Sequence, residues 1–125
     1  MNTASVSGLG GDYNFSAYNA AKGAVVNYTR SMALDHGIDN IRINALCPGL
    51  IQTGLSKGLE VLSDEVIQQW YDLVPLGRAG SLEEMANVVA FLASYESSYI
   101  TGAMIAADGG VTAKTGQSNI LSLFT

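Results

Sequence analysis

The chain has 125 residues, 48% of them hydrophobic and 14% charged, with a formal net charge of -5 and a single cysteine, Cys47. That length supports one domain, and the hydrophobic share excludes a disordered chain. The acidic balance argues against a nucleic-acid partner, and one cysteine excludes an intrachain disulfide.

Met1 to Ser5 carries neither a basic region nor a following apolar run, so no signal peptide is expected. The longest apolar stretches, such as Val88 to Ala93, are far too short for a membrane span. A cytoplasmic location and no membrane partner are the matching expectations. Met1 to Val6 reads as the end of a strand, leading into the glycine-rich loop Ser7-Gly8-Leu9-Gly10-Gly11-Asp12. From Ser16 to His36 the chain is rich in alanine and free of proline. Ala21, Ala24, Val25, Tyr28, Met32 and Ala33 recur there at helical spacing, and Gly37 is expected to end the helix in a left-handed conformation. Ile41 to Cys47 reads as a β-branched strand stopped by Pro48.

Asp64 to Leu73 is expected to be a helix with Val66, Ile67, Trp70 and Val74 on one face, stopped by Pro75. Ser81-Leu82-Glu83-Glu84 has the spacing of a capping box. The helix it opens is expected to turn Leu82, Met85, Ala86, Val89, Leu92 and Ala93 toward a core. Met104 to Ala107 reads as a last strand, ended by a turn at Asp108-Gly109-Gly110. Strands alternating with helices at this spacing predict an α/β fold with a parallel sheet.

Three residues carry the chemistry. Tyr18 and Lys22 lie four apart near the start of the first helix, so both side chains project from one face. A phenol has a pKa of roughly 10, and a nearby ammonium favours the phenolate, lowering that value by roughly 1 to 3 units. With such an ammonium beside it, Tyr18 is expected to exchange a proton with an alcohol or carbonyl oxygen. A hydroxyl such as that of Ser5, at the end of the preceding strand, can hydrogen-bond the same oxygen.

These residues, in this order, resemble the short-chain dehydrogenase/reductase family. The resemblance rests on Asn2-Thr3-Ala4-Ser5, on Tyr18-Asn19-Ala20-Ala21-Lys22, and on the interval between Ser5 and Tyr18. It continues through Ile41-Arg42-Ile43-Asn44, Pro48 to Thr53, Tyr99-Ile100-Thr101-Gly102 and Asp108-Gly109-Gly110. It implies the C-terminal half of a doubly wound, Rossmann-like parallel sheet, with residues 1–125 a single partial domain and the nucleotide-binding N-terminal half absent.

By that resemblance Tyr18 is the acid/base, Lys22 tunes it and binds the nicotinamide ribose, and Ser5 positions the substrate oxygen. Pro48, Gly49 and Ile51 would pack on the nicotinamide of NAD or NADP, and Thr53 would bond its carboxamide. Leu50 and Leu55 would lie near an alcohol or ketone substrate, residues 55–76 would form a mobile lid, and Ser7 to Tyr13 the opposite wall. The details are most similar to members acting on small alcohols, diols or hydroxyketones. A homo-oligomer, dimer or tetramer, is also implied.

The chain departs from the family at the phosphate site. Gly8-Leu9-Gly10-Gly11 lacks G-x-G-x-x-G spacing and follows the wrong strand for a dinucleotide turn. Residues 1–125 alone are therefore expected to bind a dinucleotide weakly and to be inactive. The alternative function is a non-catalytic oligomerisation module.

Blander readings compete at each position. Tyr18 and Lys22 could be a surface pair, Ser5 a turn cap, and Thr53 a helix cap. Cys47 reads as packing. A hydrolase built on Ser5, His36 and Asp39 lacks a nucleophile elbow around the serine. A metal site at Asp35, His36 and Asp39 is weaker still.

Overall fold

The computed structural model describes residues 1–53 and 61–125. Three parallel strands, β1 (Asn2–Thr3), β2 (Ala45–Pro48) and β3 (Met104–Ala107), form one sheet in the order β1-β2-β3. Thr3 is level with Leu46, and Pro48 with Ala107, so the three strands end along one carboxyl edge. Helix α1 (Ser16–His36) links β1 to β2, and α2 (Asp64–Asp72) and α3 (Leu82–Ala93) lie between β2 and β3. This is the expected parallel α/β architecture. Among the described residues no helix is long and apolar enough to cross a membrane.

The core is small. Ala4, Val26, Ala45 and Cys47 form it, with half-buried Val25 and Met104 packed alongside. Cys47 is fully buried, as its strand position predicted. Burial raises its thiol pKa above the ordinary value, against a smaller lowering by the Ser5 backbone and Arg30.

The buried line of α1 differs from the expected one. Val26, Thr29 and Ala33 are buried and Val25 and Met32 half-buried, whereas Ala21, Ala24 and Tyr28 face outward. An alanine-rich helix is apolar on several sides, so periodicity does not choose among them. Thr29 can turn inward because its hydroxyl donates to the Val25 carbonyl at 2.7 Å and accepts from Asn2 Nδ2 at 3.0 Å. That last bond also ties β1 to the helix.

Gly37 does not end α1 in a left-handed conformation. It has φ -58 and opens a 3-10 turn, and Asn40, at φ 57, makes the left-handed step instead. Asparagine is among the few residues that adopt this region readily. The second strand is also displaced. It begins at Ala45 and includes Pro48, while Ile43 and Asn44 bond the loop before β3. Ile43 N–H donates to Thr101 Oγ1 at 3.0 Å, and Asn44 Nδ2 to the Ile100 carbonyl at 2.9 Å.

Arg42 anchors the far end of α3. Its guanidinium donates to the carbonyls of Leu92, Ser94, Ser97 and Ile100 and to the Ser97 hydroxyl, satisfying carbonyls left unpaired where a helix stops. The capping box at the other end of α3 is present as expected: Ser81 Oγ accepts from Glu84 N–H, and Glu84 accepts from Ser81 N–H. The core-facing stripe is narrower than expected. Leu92 is buried and Met85, Val88 and Val89 half-buried, but Leu82, Ala86 and Ala93 are exposed. Among the described residues the three-stranded sheet does not cover them.

Candidate active site

Ser5 follows β1 at the carboxyl edge, and the β1–β2 register places it level with Pro48. Ser5 is extended (φ -166, ψ 160) and caps a 3-10 turn over Val6–Gly8, its Oγ accepting from Ser7 N–H at 3.1 Å. It is 9% exposed. The turn-capping reading of Ser5 thus has a structural basis. Capping uses the hydroxyl only as an acceptor, so its proton stays available for a second oxygen.

Tyr18 stands in the first turn of α1, 46% exposed, with Phe15 edge-on at 6.4 Å between ring centroids. Lys22 follows one turn later. Its ammonium lies 5.8 Å from the Tyr18 ring centroid and donates to the Thr3 carbonyl at 3.3 Å. The lysine therefore joins the helix to the end of β1, and the Tyr18–Lys22 spacing becomes a real contact between a cation and a phenol ring.

The loop between Ser5 and α1 is pinned by residues that sequence reasoning did not single out. Asn19 bonds three of its members, and Gly8 packs directly on α1 beside Lys22. The Asp12 carboxyl is held below its ordinary value by hydrogen bonding from the Ser7 hydroxyl and from Asn19. The signal for Asn19 was its position beside Tyr18, which is uninformative until the loop's path is known.

Pro48, Gly49, Leu50, Ile51 and Thr53 leave the carboxyl end of β2. Gly49 N–H donates to the Ala107 carbonyl at 3.1 Å. A Cβ on Gly49 would stand 2.7 Å from Asp108 Cβ, so only glycine lets the two strand ends come this close. Ile51 bridges to Gly80, with Gly80 N–H donating to Leu50 and Gln52 N–H to Gly80. Leu50, Ile51 and Thr53 are half-buried. Leu55, expected near substrate, lies outside the described residues, as does the start of the expected lid.

A cleft of about 630 Å³ opens at the same sheet edge, between Leu50, Pro75, Leu76, Met85, Val88 and the Ala106 to Gly110 segment. It shares Leu50 with the expected set but does not include Ser5, Tyr18 or Lys22. Its ionisable groups are already committed. Arg78 pairs with Glu84 at 2.7 Å, which brings the Glu84 carboxyl down to about 2 and raises Arg78 above its usual range. Asp108 closes its own turn by accepting from Gly110 and Thr112. Gly109 and Gly110 have φ +63 and +98, so they form the turn the sequence predicted. The Tyr18 phenol, with the Lys22 ammonium beside its ring, lies outside this cleft.

The described residues suit part of a nicotinamide dinucleotide. The Lys22 ammonium and the apolar Pro48 to Ile51 segment fit a ribose and a flat ring at the carboxyl edge of a parallel sheet, where such folds bind ligands. The glycine-rich loop between β1 and α1 has Gly8, Gly10 and Gly11 and lacks the G-x-G-x-x-G spacing of the turn that holds pyrophosphate.

Comparison with known proteins points the same way. A family model described as enoyl-(acyl carrier protein) reductase matches residues 1–112. A meso-2,3-butanediol dehydrogenase from Serratia marcescens is 53% identical over 121 residues, 97% of this chain and 47% of that protein. A solved 4-hydroxyisoleucine dehydrogenase complexed with NADH superposes with a TM-score of 0.83 at 34% identity, covering 91% of this chain and 46% of that one. A chain from Agrobacterium tumefaciens solved with bound NADP also gives 0.83, at 32% identity, over 90% and 46%. The chain spans about half the length of the curated relatives it matches.

Proposed function

The chain belongs to the short-chain dehydrogenase/reductase family, and we propose that it supplies the proton-transfer half of an oxidoreductase that interconverts a small alcohol and its carbonyl compound. The observation that carries this reading is the Lys22 ammonium held 5.8 Å from the Tyr18 ring at the sheet's carboxyl edge. When bound, NAD or NADP accepts or donates the hydride on the substrate carbon. In the oxidation direction Tyr18, as phenolate, takes the hydroxyl proton as the carbon gives up its hydride, and in reduction Tyr18, as phenol, gives a proton to the carbonyl oxygen.

Lys22 supports both states of this exchange. Its positive charge sits beside the phenol, where loss of a proton would leave negative charge, and its second contact with Thr3 fixes it there. Ser5 donates its free proton to the substrate oxygen and so holds that oxygen toward Tyr18. Pro48, Gly49 and Ile51 offer the wall for the nicotinamide, Thr53 the hydroxyl for its carboxamide, and Leu50 the apolar contact for the substrate. A small alcohol or diol is the substrate class, supported by the name of the Serratia relative.

One experiment tests this reading. Residues 1–125 are joined to the part of the Serratia marcescens relative that they do not span, and nicotinamide absorbance is followed with 2,3-butanediol. Turnover dependent on NAD or NADP is expected. A folded chimera that binds NADH yet turns over no small alcohol or ketone would contradict it. Residues 1–125 alone are expected to show no micromolar affinity for either cofactor in a fluorescence titration.

A second reading, an oligomerisation module without catalysis, is favoured by the outward face of α1. Ala17, Ala20, Ala21, Ala24 and Tyr28 are exposed there, together with Leu34 at 84%. Self-association by itself is compatible with the first reading, and turnover separates the two. Self-association through this face, without any turnover by the chimera, would favour the second alone.

A further inference from the structure

We propose that Asn19 is a positioning residue whose side-chain amide locks the loop after Ser5 onto the turn of α1 that carries Tyr18, fixing the Ser5 hydroxyl relative to the phenol. The inference rests on the acid/base reading above.

Asn19 follows Tyr18 and projects about 100° further round the helix, so one side chain faces the loop while the other stays open. Its Nδ2 donates to the Ser7 carbonyl at 2.6 Å, to the Gly10 carbonyl at 3.0 Å and to Asp12 Oδ2 at 3.0 Å. Its Oδ1 accepts from Asp12 N–H at 3.3 Å. Three acceptors converge on two amide protons, and the carbonyl end takes the returning donor. The whole polar capacity of Asn19 is spent on one loop.

Ser7 connects this clamp to the proposed chemistry. Its carbonyl receives Asn19, and its N–H donates to Ser5 Oγ. Two hydrogen bonds therefore run from the residue beside Tyr18 to the Ser5 hydroxyl. The strand side of Ser5 is fixed separately, by Ala4 N–H donating to the Leu46 carbonyl at 2.8 Å. Without Asn19 the Val6–Gly8 turn would still pack on α1, with Gly8 against Lys22 and Val26, but the side-chain hydrogen bonds described here between the loop and α1 would be lost. An amide is needed here. A carboxylate at this position would face two carbonyls and Asp12 with no proton to give, and an aliphatic side chain would leave all of them unmatched.

The test uses the catalytically competent chimera described above, carrying Asn19→Ala, Asn19→Asp or Tyr18→Phe. Both Asn19 variants are expected to lower kcat by about tenfold or more, the scale on which small misplacements act, with the KM for cofactor unchanged. The amides of Ser7, Gly8, Leu9 and Asp12 should exchange about tenfold faster, while those of β2 and β3 keep their protection. Asn19→Asp should regain activity relative to the parent as pH falls and its carboxyl gains a proton to donate.

Unchanged kcat and unchanged loop exchange would overturn the proposal. So would loosened exchange with full kcat, because the clamp would then be structural and nothing more. Should Asn19→Ala fail to fold, Asp12→Ala gives the same two readouts with one clamp bond removed. The two levels separate cleanly. Retained turnover in Tyr18→Phe defeats the acid/base reading itself, whereas a dead Tyr18→Phe beside a fully active Asn19→Ala defeats the Asn19 proposal alone.

Discussion

Gly8 lies directly against the backbone of Lys22. A Cβ built on Gly8 would stand 2.6 Å from the Lys22 carbonyl oxygen, 2.8 Å from its carbon and 2.9 Å from Val26 Cγ2. The glycine is required by this close approach. Two of the three neighbouring atoms are helix backbone, which cannot swing away. Gly8→Ala is therefore expected to push the loop off α1 and to destabilise the fold by about 1–3 kcal/mol, the usual cost of overpacking. Urea unfolding checks this. Gly10→Ala, where a Cβ would meet nothing within 4 Å, is the control and should change little.

Acid should destabilise the chain through a few identifiable carboxylates. At Asp108 burial raises the pKa, but hydrogen bonds from the Thr112 hydroxyl and backbone and from the Gly110 backbone outweigh it, leaving the group below its usual value. Asp12 is also lowered, and Glu84 falls from an ordinary 4.5 to about 2. A depressed folded-state pKa contributes stability above the unfolded value that is lost as pH falls through the folded one. The thermal midpoint should therefore drop between about pH 4.5 and pH 2. Asp108→Asn should flatten part of that slope. A midpoint independent of pH over this interval would contradict the hydrogen bonding described at these residues.

The legible parts of this fold were those set by short-range chemistry. Ser81 and Glu84 announced their capping box, and both of its bonds are present. Met104 to Ala107 was read as a strand ended by the Asp108-Gly109-Gly110 turn and appears with those limits. The Tyr18–Lys22 contact followed from helical spacing alone. What was not legible depended on partners distant in sequence. The inward turn of Thr29 needs Asn2, the late start of β2 goes with bonds between Ile43 and Asn44 and residues 100–103, and the Asn19 clamp needs the path of the loop. Gly8 could not be told from Gly10 by sequence, although one is packed against a helix and the other open.

Self-association is the third expectation. The outward face of α1 leaves Tyr28 58% and Leu34 84% exposed, with Ile38 beyond them at 94%. Closed two-fold contacts are the commonest way to cover such a surface. Light scattering during size exclusion, at low micromolar concentration, should give a mass above one chain. Tyr28→Glu should shift it toward the monomer by placing a charge in the contact. A sharp monomer peak with cooperative thermal unfolding would argue against this interface.

The central claim is that the Tyr18 phenol moves the proton. Tyr18→Phe removes that oxygen and keeps the ring that packs against Phe15 and Lys22. In the chimera, kcat measured between about pH 6 and pH 9 at saturating cofactor is the direct test. A loss of roughly 10²- to 10⁴-fold with cofactor affinity retained is expected. A Tyr18→Phe variant that keeps the parent kcat across that range would contradict it.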